Sequence, residues 1–218
     1  MDKNAYGYSI TIQLEDKPCL VVGGGSVAAR KTAGLLHAHA HVTVCSPELV
    51  PSLAALYAEK AFKWRKAMFQ SGDTESYFLV IAATDNDAVN CEIAAEAKAR
   101  GKLVNVATSP ETGNFHVPAS VAYGDLLLTV STSGKSPALA RLIRQELSLL
   151  YGEEVNRFLQ FLEEERLRLK KTGGASKERE HFWRTLLRPE WLAAVRAGKR
   201  EEIEGKIRDA VSSFRIKP

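Results

Sequence analysis

A glycine-rich turn between an apolar run and a helical stretch carries the residue types of a phosphate-binding turn. The run Cys19-Leu20-Val21-Val22 leads into Gly23-Gly24-Gly25-Ser26-Val27-Ala28, a G-x-G-x-x-A pattern. In such turns Gly23 allows the tight bend, Gly25 lets the backbone approach a pyrophosphate, and Ala28 lets the new helix pack on the sheet. Amides at a helix start face a bound phosphate. The pattern therefore predicts a dinucleotide site.

Polar residues follow a second apolar run. Tyr77 to Ala83 is apolar throughout, as in a strand that is buried on both faces of a parallel sheet, and Thr84 and Asp85 come directly after it. Because ligands bind at the carboxyl ends of such strands, Thr84 and Asp85 are candidates for lining the cofactor cleft. The alternative is that Asp85 or Asp87 caps the helix predicted for residues 88–100. The sequence leaves both interpretations open.

A hydroxyl-rich turn near the middle of the chain has features of an anion-binding site. The turn, residues 131–137, ends in Ser136 and Pro137, which predict the N-cap and the first residue of a helix. Capping accounts for Ser136 but leaves the other side chains of the turn without a role, whereas hydroxyls, a helix start and cations together suit carboxylates. The residues predicted to bind an anionic substrate are Thr132, Ser133, Lys135, Arg141 and Arg144.

The segments around these motifs alternate between strand and helix patterns, which is typical of an α/β fold with a parallel sheet. His41 to Cys45 is predicted as the strand that closes a βαβ unit with the glycine turn. Other strands are predicted for 61–66, 102–106 and 125–131, with an edge strand or arm at Tyr8 to Leu14. Further helices are predicted for 52–60, 138–150, 153–171, 177–187, 189–197 and 200–214. We expect a Rossmann-like parallel-sheet domain over 1–114, a small α+β segment over 115–150 and a C-terminal helical unit over 151–218.

Composition narrows the class of protein. The chain has 218 residues, of which 45% are hydrophobic and 26% charged, as in ordinary globular proteins, and it has no apolar run long enough to span a bilayer. The first residues, Met1 to Asn4, do not resemble a signal peptide. Three cysteines without C-x-x-C spacing predict buried thiols rather than disulfides. The net charge of +4 is too small to indicate nucleic acid and suits an anionic small molecule. We therefore expect a cytoplasmic protein that binds neither nucleic acid nor membrane.

The histidines give weaker evidence for a functional site. His37, His39 and His41 are spaced so that they share neither one helical face nor clearly one strand face, so a surface connection is favoured over a metal site. His116 follows the loop after the strand predicted for 102–106, and it is either a structural histidine or part of a site. No resident metal is predicted.

Several motifs in order resemble one known family. They are the glycine turn, Ala82-Ala83-Thr84-Asp85-Asn86-Asp87-Ala88-Val89-Asn90, Val104-Asn105-Val106, Phe115-His116-Val117-Pro118-Ala119 and Ser131-Thr132-Ser133-Gly134-Lys135-Ser136-Pro137-Ala138-Leu139-Ala140. Together they resemble the siroheme-synthase family over about Tyr8 to Arg184. The methyltransferase domain that is fused to this module in some relatives is not expected here.

The resemblance implies an NAD-dependent oxidation of precorrin-2, a tetrapyrrole with eight carboxylates, to sirohydrochlorin. It also implies a homodimer in which residues 115–150 form a dimerisation segment that is exchanged between subunits. By position, it assigns the cofactor site to Gly23, Gly25, Ser26, Val27, Pro47, Glu48, Thr84 and Asp85. Glu48 comes slightly later in the sequence than the acidic residue that usually binds the adenosine ribose. The choice between NAD and NADP is therefore poorly determined by this residue. Thr132 matches a hydroxyl position near the tetrapyrrole cleft.

Thr108 departs from the family pattern. Many members have an aspartate here, two residues before the proline of the loop, and it is credited with proton abstraction and metal insertion. Because threonine is neither a competent base nor a strong ligand for Fe²⁺, we expect dehydrogenation to survive and ferrochelatase activity to be weak or absent. Glu111 and His116 are possible substitutes for the missing carboxylate. Alternative functions are a bifunctional dehydrogenase and ferrochelatase, and a non-catalytic NAD-sensing module.

Overall fold

The computed structural model describes residues 7–173 and 175–214, so the expectation for Met1 to Asn4 lies outside the described residues. The chain divides into two compact units, with the boundary between Val117 and Pro118. The first unit is a Rossmann-like α/β domain, as predicted. Among the described residues, no helix is long and apolar enough to cross a membrane.

A five-stranded parallel sheet forms the centre of the first unit. Its strands are β1 (Pro18–Val22), β2 (His41–Cys45), β3 (Lys63–Arg65), β4 (Leu79–Ala82) and β5 (Leu103–Val106), arranged in the order β3-β2-β1-β4-β5. In this register Val21 lies between Val44 and Ile81. These residues are almost fully buried, because both faces of the sheet are covered.

Helices cover both faces of the sheet, the first two on one face and the third on the other. The helices of this unit are α1 (Ser26–His37), α2 (Pro51–Ala58) and α3 (Asp87–Ala99), and a short 3-10 turn spans Pro110–Thr112. Ala28 of α1 and Leu53 of α2 join the core on one face, and Ile93 of α3 joins the core on the other. The chain therefore changes face between β3 and β4. This change places the topological switch point, where ligands bind in such sheets, at the carboxyl ends of β1 and β4.

Two local predictions for the first unit are wrong, and one alternative of a third is excluded. Tyr8 to Leu14 forms no strand, which leaves the predicted arm: Tyr8 is 93% exposed, and the segment meets the core through Ile12 and the buried Leu14. Asn86, rather than Asp85 or Asp87, caps α3, and its side chain accepts hydrogen bonds from the amides of residues 88 and 89. Cys91 is exposed on α3, whereas Cys19 and Cys45 are buried as predicted. Burial raises the pKa of Cys19 to about 11.

The second unit begins with a β-hairpin and a helix. β6 (Ala119–Tyr123) and β7 (Leu126–Val130) pair antiparallel, and α4 (Pro137–Leu150) packs against both strands. Gly124 in the hairpin turn has a φ of +54°, and an added Cβ would lie 2.6 Å from the amide nitrogen of Asn156. The positive φ and this close approach favour glycine. The sequence predicted β7 and α4 but only an extended segment at the start of β6.

Four helices complete the second unit. They are α5 (Glu153–Lys171), α6 (Ser176–Leu186), α7 (Pro189–Arg196) and α8 (Arg200–Ser212). Their apolar faces bury Leu169, Val195 and Ile207 completely, while the charged residues of α5 lie mostly on its outer face. Such amphipathic helices are stabilised by packing of the apolar stripe rather than by helix propensity alone.

Candidate active site

The first half of the glycine turn passes too close to its neighbours to carry side chains. Gly23 has a φ of +126°, and an added Cβ would overlap the carbonyl oxygen of Ala83. At Gly24 an added Cβ would overlap the carbonyl oxygen of Glu48 and the hydroxyl of Ser46. The amide of Gly23 donates to the carbonyl of Cys45 at 2.9 Å. The turn is therefore wedged between the segments that follow β2 and β4, and sequence analysis did not identify the role of Gly24.

The second half of the turn is open. An added Cβ at Gly25 would meet no atom within 4 Å. Gly25 is the N-cap of α1, and within the described part of the chain no side chain caps this helix and no acidic residue lies in its first turn. The start of α1, at Ser26 and Val27, thus combines open space with amides that lack a side-chain acceptor. These features fit a pyrophosphate, which needs close backbone approach and amide donors.

The segment after β2 lies directly beside the turn. The Ser46 hydroxyl donates to the carbonyl of Glu48 at 2.7 Å, and the amide of Val50 donates to the carbonyl of Gly24 at 2.9 Å. The indole of Trp64 donates to the Ser46 carbonyl at 2.9 Å, which ties β3 to the same segment. Pro47 and Glu48 are therefore held against the glycine turn at the carboxyl end of β2, where adenosine binds in dinucleotide folds.

An ion pair lies beneath this edge of the sheet. Arg65, at the end of β3, pairs with Asp73 and also donates to the sulfur of Cys45 at 2.9 Å. The hydrogen bond from Arg65 is the largest cause that holds the pKa of Asp73 below its usual value. The Arg65 guanidinium is thus engaged by a carboxylate of its own domain.

The segments after β4 and β5 are joined by one buried amide. Asn90 of α3 is 1% exposed, and its Oδ1 accepts from the amide of Thr84 at 3.1 Å and from the Thr84 hydroxyl at 2.8 Å. Its Nδ2 donates to the Thr84 carbonyl at 3.1 Å and lies 3.4 Å from the hydroxyl of Thr108. The Thr108 hydroxyl in turn donates to Oδ1 of Asp87 at 2.9 Å. Asn90 and Asp87 were not among the predicted site residues, although a buried polar residue one turn into a helix is a usable signal.

The loop after β5 carries the other predicted catalytic residues. The Asn105 side chain donates to the carbonyl of Phe115 at 3.0 Å, which fixes the far end of the loop. Glu111 accepts a hydrogen bond from Ser109, and this bond is the largest cause that holds the pKa of Glu111 below its ordinary value. His116 is exposed, and its charge also acts on Glu111. Thr108, Glu111 and His116 thus share one loop at the carboxyl end of β5.

The hydroxyl-rich turn in the second unit has an internal structural role that sequence analysis did not assign. The hydroxyl of Thr132 donates to the carbonyl of Ser136 at 3.0 Å and accepts from its amide at 3.2 Å. Ser133 adopts a φ of +52°, and its amide lies 3.2 Å from the hydroxyl of Ser131. Ser136 caps α4 as predicted, by accepting from the amide of Leu139 at 3.2 Å. Thr132 therefore closes the turn.

The predicted residues fall into two groups. The cofactor and catalytic candidates all belong to the first unit, and the substrate candidates, Lys135, Arg141 and Arg144 among them, all belong to the second. Within the described residues, no group of three His, Cys, Asp or Glu side chains is arranged to hold a metal ion. His41 instead lies 3.3 Å from Asp16, on the surface.

Comparisons with known proteins identify similar sequences. Residues 10–119 match the family model described as "Putative NAD(P)-binding", and residues 124–148 match the model described as "Sirohaem biosynthesis protein central". The siroheme synthase of Methylobacillus flagellatus is 37% identical over 203 residues, which cover 93% of this chain and 44% of that protein. Siroheme synthase 1 of Klebsiella pneumoniae is 36% identical over 197 residues, which cover 90% of this chain and 42% of that protein. The chain thus spans less than half the length of these relatives.

A solved structure is similar over nearly the whole chain. The structure described as "SirC, precorrin-2 dehydrogenase" superposes with a TM-score of 0.75 and 28% sequence identity, covering 93% of this chain and all of that one. The match therefore extends over both units. On its motifs, its fold and these similarities, the chain belongs to the siroheme-synthase family, and its first unit is an NAD(P)-binding domain.

Proposed function

We propose that the chain is an NAD-dependent dehydrogenase that oxidises precorrin-2 to sirohydrochlorin. The observation that carries the proposal is the open, uncapped start of α1 at the switch point of the sheet, in a chain similar to a precorrin-2 dehydrogenase. In this fold the cofactor binds along the carboxyl ends of the strands, which here are bordered by the Thr84 and Thr108 segments. NAD⁺, when bound, accepts a hydride.

The chain's own residues account for cofactor binding. Gly23 and Gly25 shape the turn, and the amides at Ser26 and Val27 face the pyrophosphate. Pro47 and Glu48 line the end of the site that binds adenosine, and Thr84 and Asp85 line the end that binds the nicotinamide ribose.

The surroundings of the adenosine side support NAD over NADP. A carboxylate near the end of β2 suits a ribose 2′-hydroxyl, whereas a 2′-phosphate needs a cation. Glu48 supplies the carboxylate, and Arg65 at the neighbouring strand end is already paired with Asp73.

The second unit supplies residues for a polycarboxylate substrate. Arg141 and Arg144 lie on α4, four and seven residues after its first residue, and Lys135 lies in the turn that precedes this helix. Arginine guanidinium groups match carboxylates with two parallel hydrogen bonds. We assign carboxylate recognition to these three cations, with Thr132 and Ser133 forming the backbone of the turn that presents Lys135.

The reacting face is assigned to Thr108, Glu111 and His116. Hydride transfer depends mainly on holding the substrate against the cofactor, which a hydroxyl at position 108 does not prevent. Insertion of Fe²⁺ depends on ligands such as carboxylate or imidazole, which threonine does not provide. Ferrochelatase activity is therefore left out of the proposal.

The exposed face of α4 supports a homodimer. Leu139, Leu142 and Leu149 recur at helical spacing along this helix and are 49%, 61% and 87% exposed, while Leu127 of β7 is 50% exposed. An apolar stripe of this size on a helix is typical of an interface with another copy. We propose that this hairpin and helix form the dimerisation segment, in a protein of the cytoplasm.

The first test measures the reaction itself. Purified protein with NAD⁺ and precorrin-2, kept anaerobic, should form NADH and sirohydrochlorin at least about tenfold faster than a protein-free control. Sirohydrochlorin with Fe²⁺ or Co²⁺ should gain metal no faster than without protein. Saturable NAD⁺ binding without any accelerated oxidation would contradict the proposal and favour an NAD-sensing module, while accelerated metal insertion would show a bifunctional enzyme.

A second test addresses Gly25. The Gly25→Ala methyl group meets no atom of the protein, so the melting temperature should change little, but the methyl occupies the space where the pyrophosphate approaches. The Kd for NAD⁺ should therefore rise by about tenfold or more. Gly34→Ala, on the same helix and equally uncrowded, is the matched control and should leave the Kd unchanged. Equal NAD⁺ affinity in the two variants would refute the assignment of the glycine turn as the pyrophosphate site.

A third test addresses the dimer. Leu142→Glu places a charge on the apolar stripe of α4, and burying an unpaired charge at an interface is costly, so the variant should shift from dimer to monomer in analytical ultracentrifugation. Gln160→Glu, at an exposed position of α5 and outside the proposed dimerisation segment, should remain dimeric. A wild-type monomer, or a Leu142→Glu dimer as stable as the control, would contradict this interface.

A further inference from the structure

The proposed dehydrogenation has a requirement that hydride transfer alone does not meet. Removing two hydrogens from the substrate releases one hydride, which goes to NAD⁺, and one proton, which needs an acceptor. The following inference rests on the proposed function and concerns the acceptor. A proton acceptor must lie within hydrogen-bond reach of the proton it takes, directly or through one intervening group.

Asp87 and Thr108 form a pair across two separate elements of the first unit. Asp87 is the first residue of α3, which follows β4, and Thr108 follows β5. The Thr108 hydroxyl donates to Oδ1 of Asp87 at 2.9 Å, an ordinary hydrogen-bond length. A carboxylate from one strand end is thus placed behind a hydroxyl from the next, at the edge of the sheet where the cofactor and substrate bind in this fold.

Asn90 fixes the direction of this hydrogen bond. Its Nδ2 lies 3.4 Å from the Thr108 hydroxyl oxygen and holds the Thr84 carbonyl at 3.1 Å. An amide nitrogen can only donate, so the hydroxyl accepts from Asn90 and directs its own proton at Asp87. Because Asn90 is almost completely buried, the arrangement is held by the packed core of the domain.

The other titratable groups of these segments are less suited to the task. They are Asp85 on the turn before α3, and Glu111 and His116 on the loop after β5. Glu111 is held in its ionised form by Ser109 and by a backbone amide, and its pKa is lowered, which makes it a weaker base. Among the described residues, neither Asp85 nor His116 has a hydrogen bond that links it to a hydroxyl of the neighbouring strand end.

We propose that Thr108 and Asp87 form a proton relay. As the substrate gives up its hydride, its proton passes to Oγ1 of Thr108 while the hydroxyl's own proton passes to Oδ1 of Asp87. Because Asp87 is exposed, it then releases the proton to water. The balance is one substrate oxidised by two electrons, one NAD⁺ reduced to NADH and one proton released. Thr108 touches the substrate, and Asp87 acts through Thr108.

The test compares four variants. Asp87→Asn keeps an oxygen that can accept from Thr108 but cannot take a proton, Thr108→Val removes the hydroxyl, and Thr108→Ser retains it. Glu92→Gln removes an exposed carboxylate of the same helix and is the matched control. NADH formation from precorrin-2 is measured between about pH 4 and 8, a range that spans carboxylate titration, alongside NAD⁺ affinity and thermal unfolding.

The relay predicts a specific combination of results. Asp87→Asn and Thr108→Val should each lower kcat by about 10²-fold or somewhat less, and the double variant should lose little more than either single one. The wild type should gain activity as the pH rises on the acid side, and both variants should lose this rise. Thr108→Ser and Glu92→Gln should keep the wild-type profile, and NAD⁺ affinity should stay within about twofold throughout.

Several results would overturn the relay. These are a wild-type pH profile in Asp87→Asn, fully multiplicative losses in the double variant, or a loss of kcat matched by an equal loss of NAD⁺ affinity, which would show a role in cofactor binding or folding instead. A wild-type protein that fails to accelerate the oxidation would overturn the proposed function itself, so the two failures are distinguishable.

Discussion

The structure depends on how closely one turn passes between two strand ends. Neither Gly23 nor Gly24 has room for a Cβ, because the carbonyl oxygens of Ala83 and Glu48 occupy that space. This contact exists because β1 lies between β2 and β4 in the parallel sheet, so the segments that leave its two neighbours converge on the turn. After this tightly packed turn the chain enters α1. No side chain caps the first amides of this helix, and the space beside Gly25 is open. The proposed pyrophosphate site is therefore a consequence of strand order and backbone packing rather than of any charged side chain.

A second constraint connects the segment beside the glycine turn to the proposed reacting residues. The amide of Asn90 holds the segment after β4 and the segment after β5 in one hydrogen-bonded arrangement. A buried polar group is retained at low cost only when its partners are satisfied, and both ends of this side chain are. Thr84, on the cofactor side, and Thr108, on the proposed reacting side, are consequently fixed relative to each other. The missing carboxylate at position 108 is compensated in the proposed relay by Asp87, which arrives from another element.

The sequence predicted the elements of the sheet well and the contacts between loops poorly. His41 to Cys45 matched β2, and the G-x-G-x-x-A pattern matched the turn between β1 and α1, because hydrophobic runs and glycine turns are local signals. Local signals did not show that Tyr8 to Leu14 lacks a partner strand, or that the Thr132 hydroxyl forms hydrogen bonds within its own turn. The pairing of Thr108 with Asp87 joins residues 21 positions apart and depends on strand order, which no spacing rule reports.

In the proposed function, the start of α1 binds the cofactor's pyrophosphate. Hydrogen exchange of backbone amides, measured with and without saturating NAD⁺, tests it most directly, because those amides have no side-chain partner in the described structure. A pyrophosphate bound there should give strong new protection at residues 25–28, with smaller effects on the segments after β2 and β4. Unchanged exchange at the start of α1 under saturating NAD⁺, or protection confined to the second unit, would contradict it.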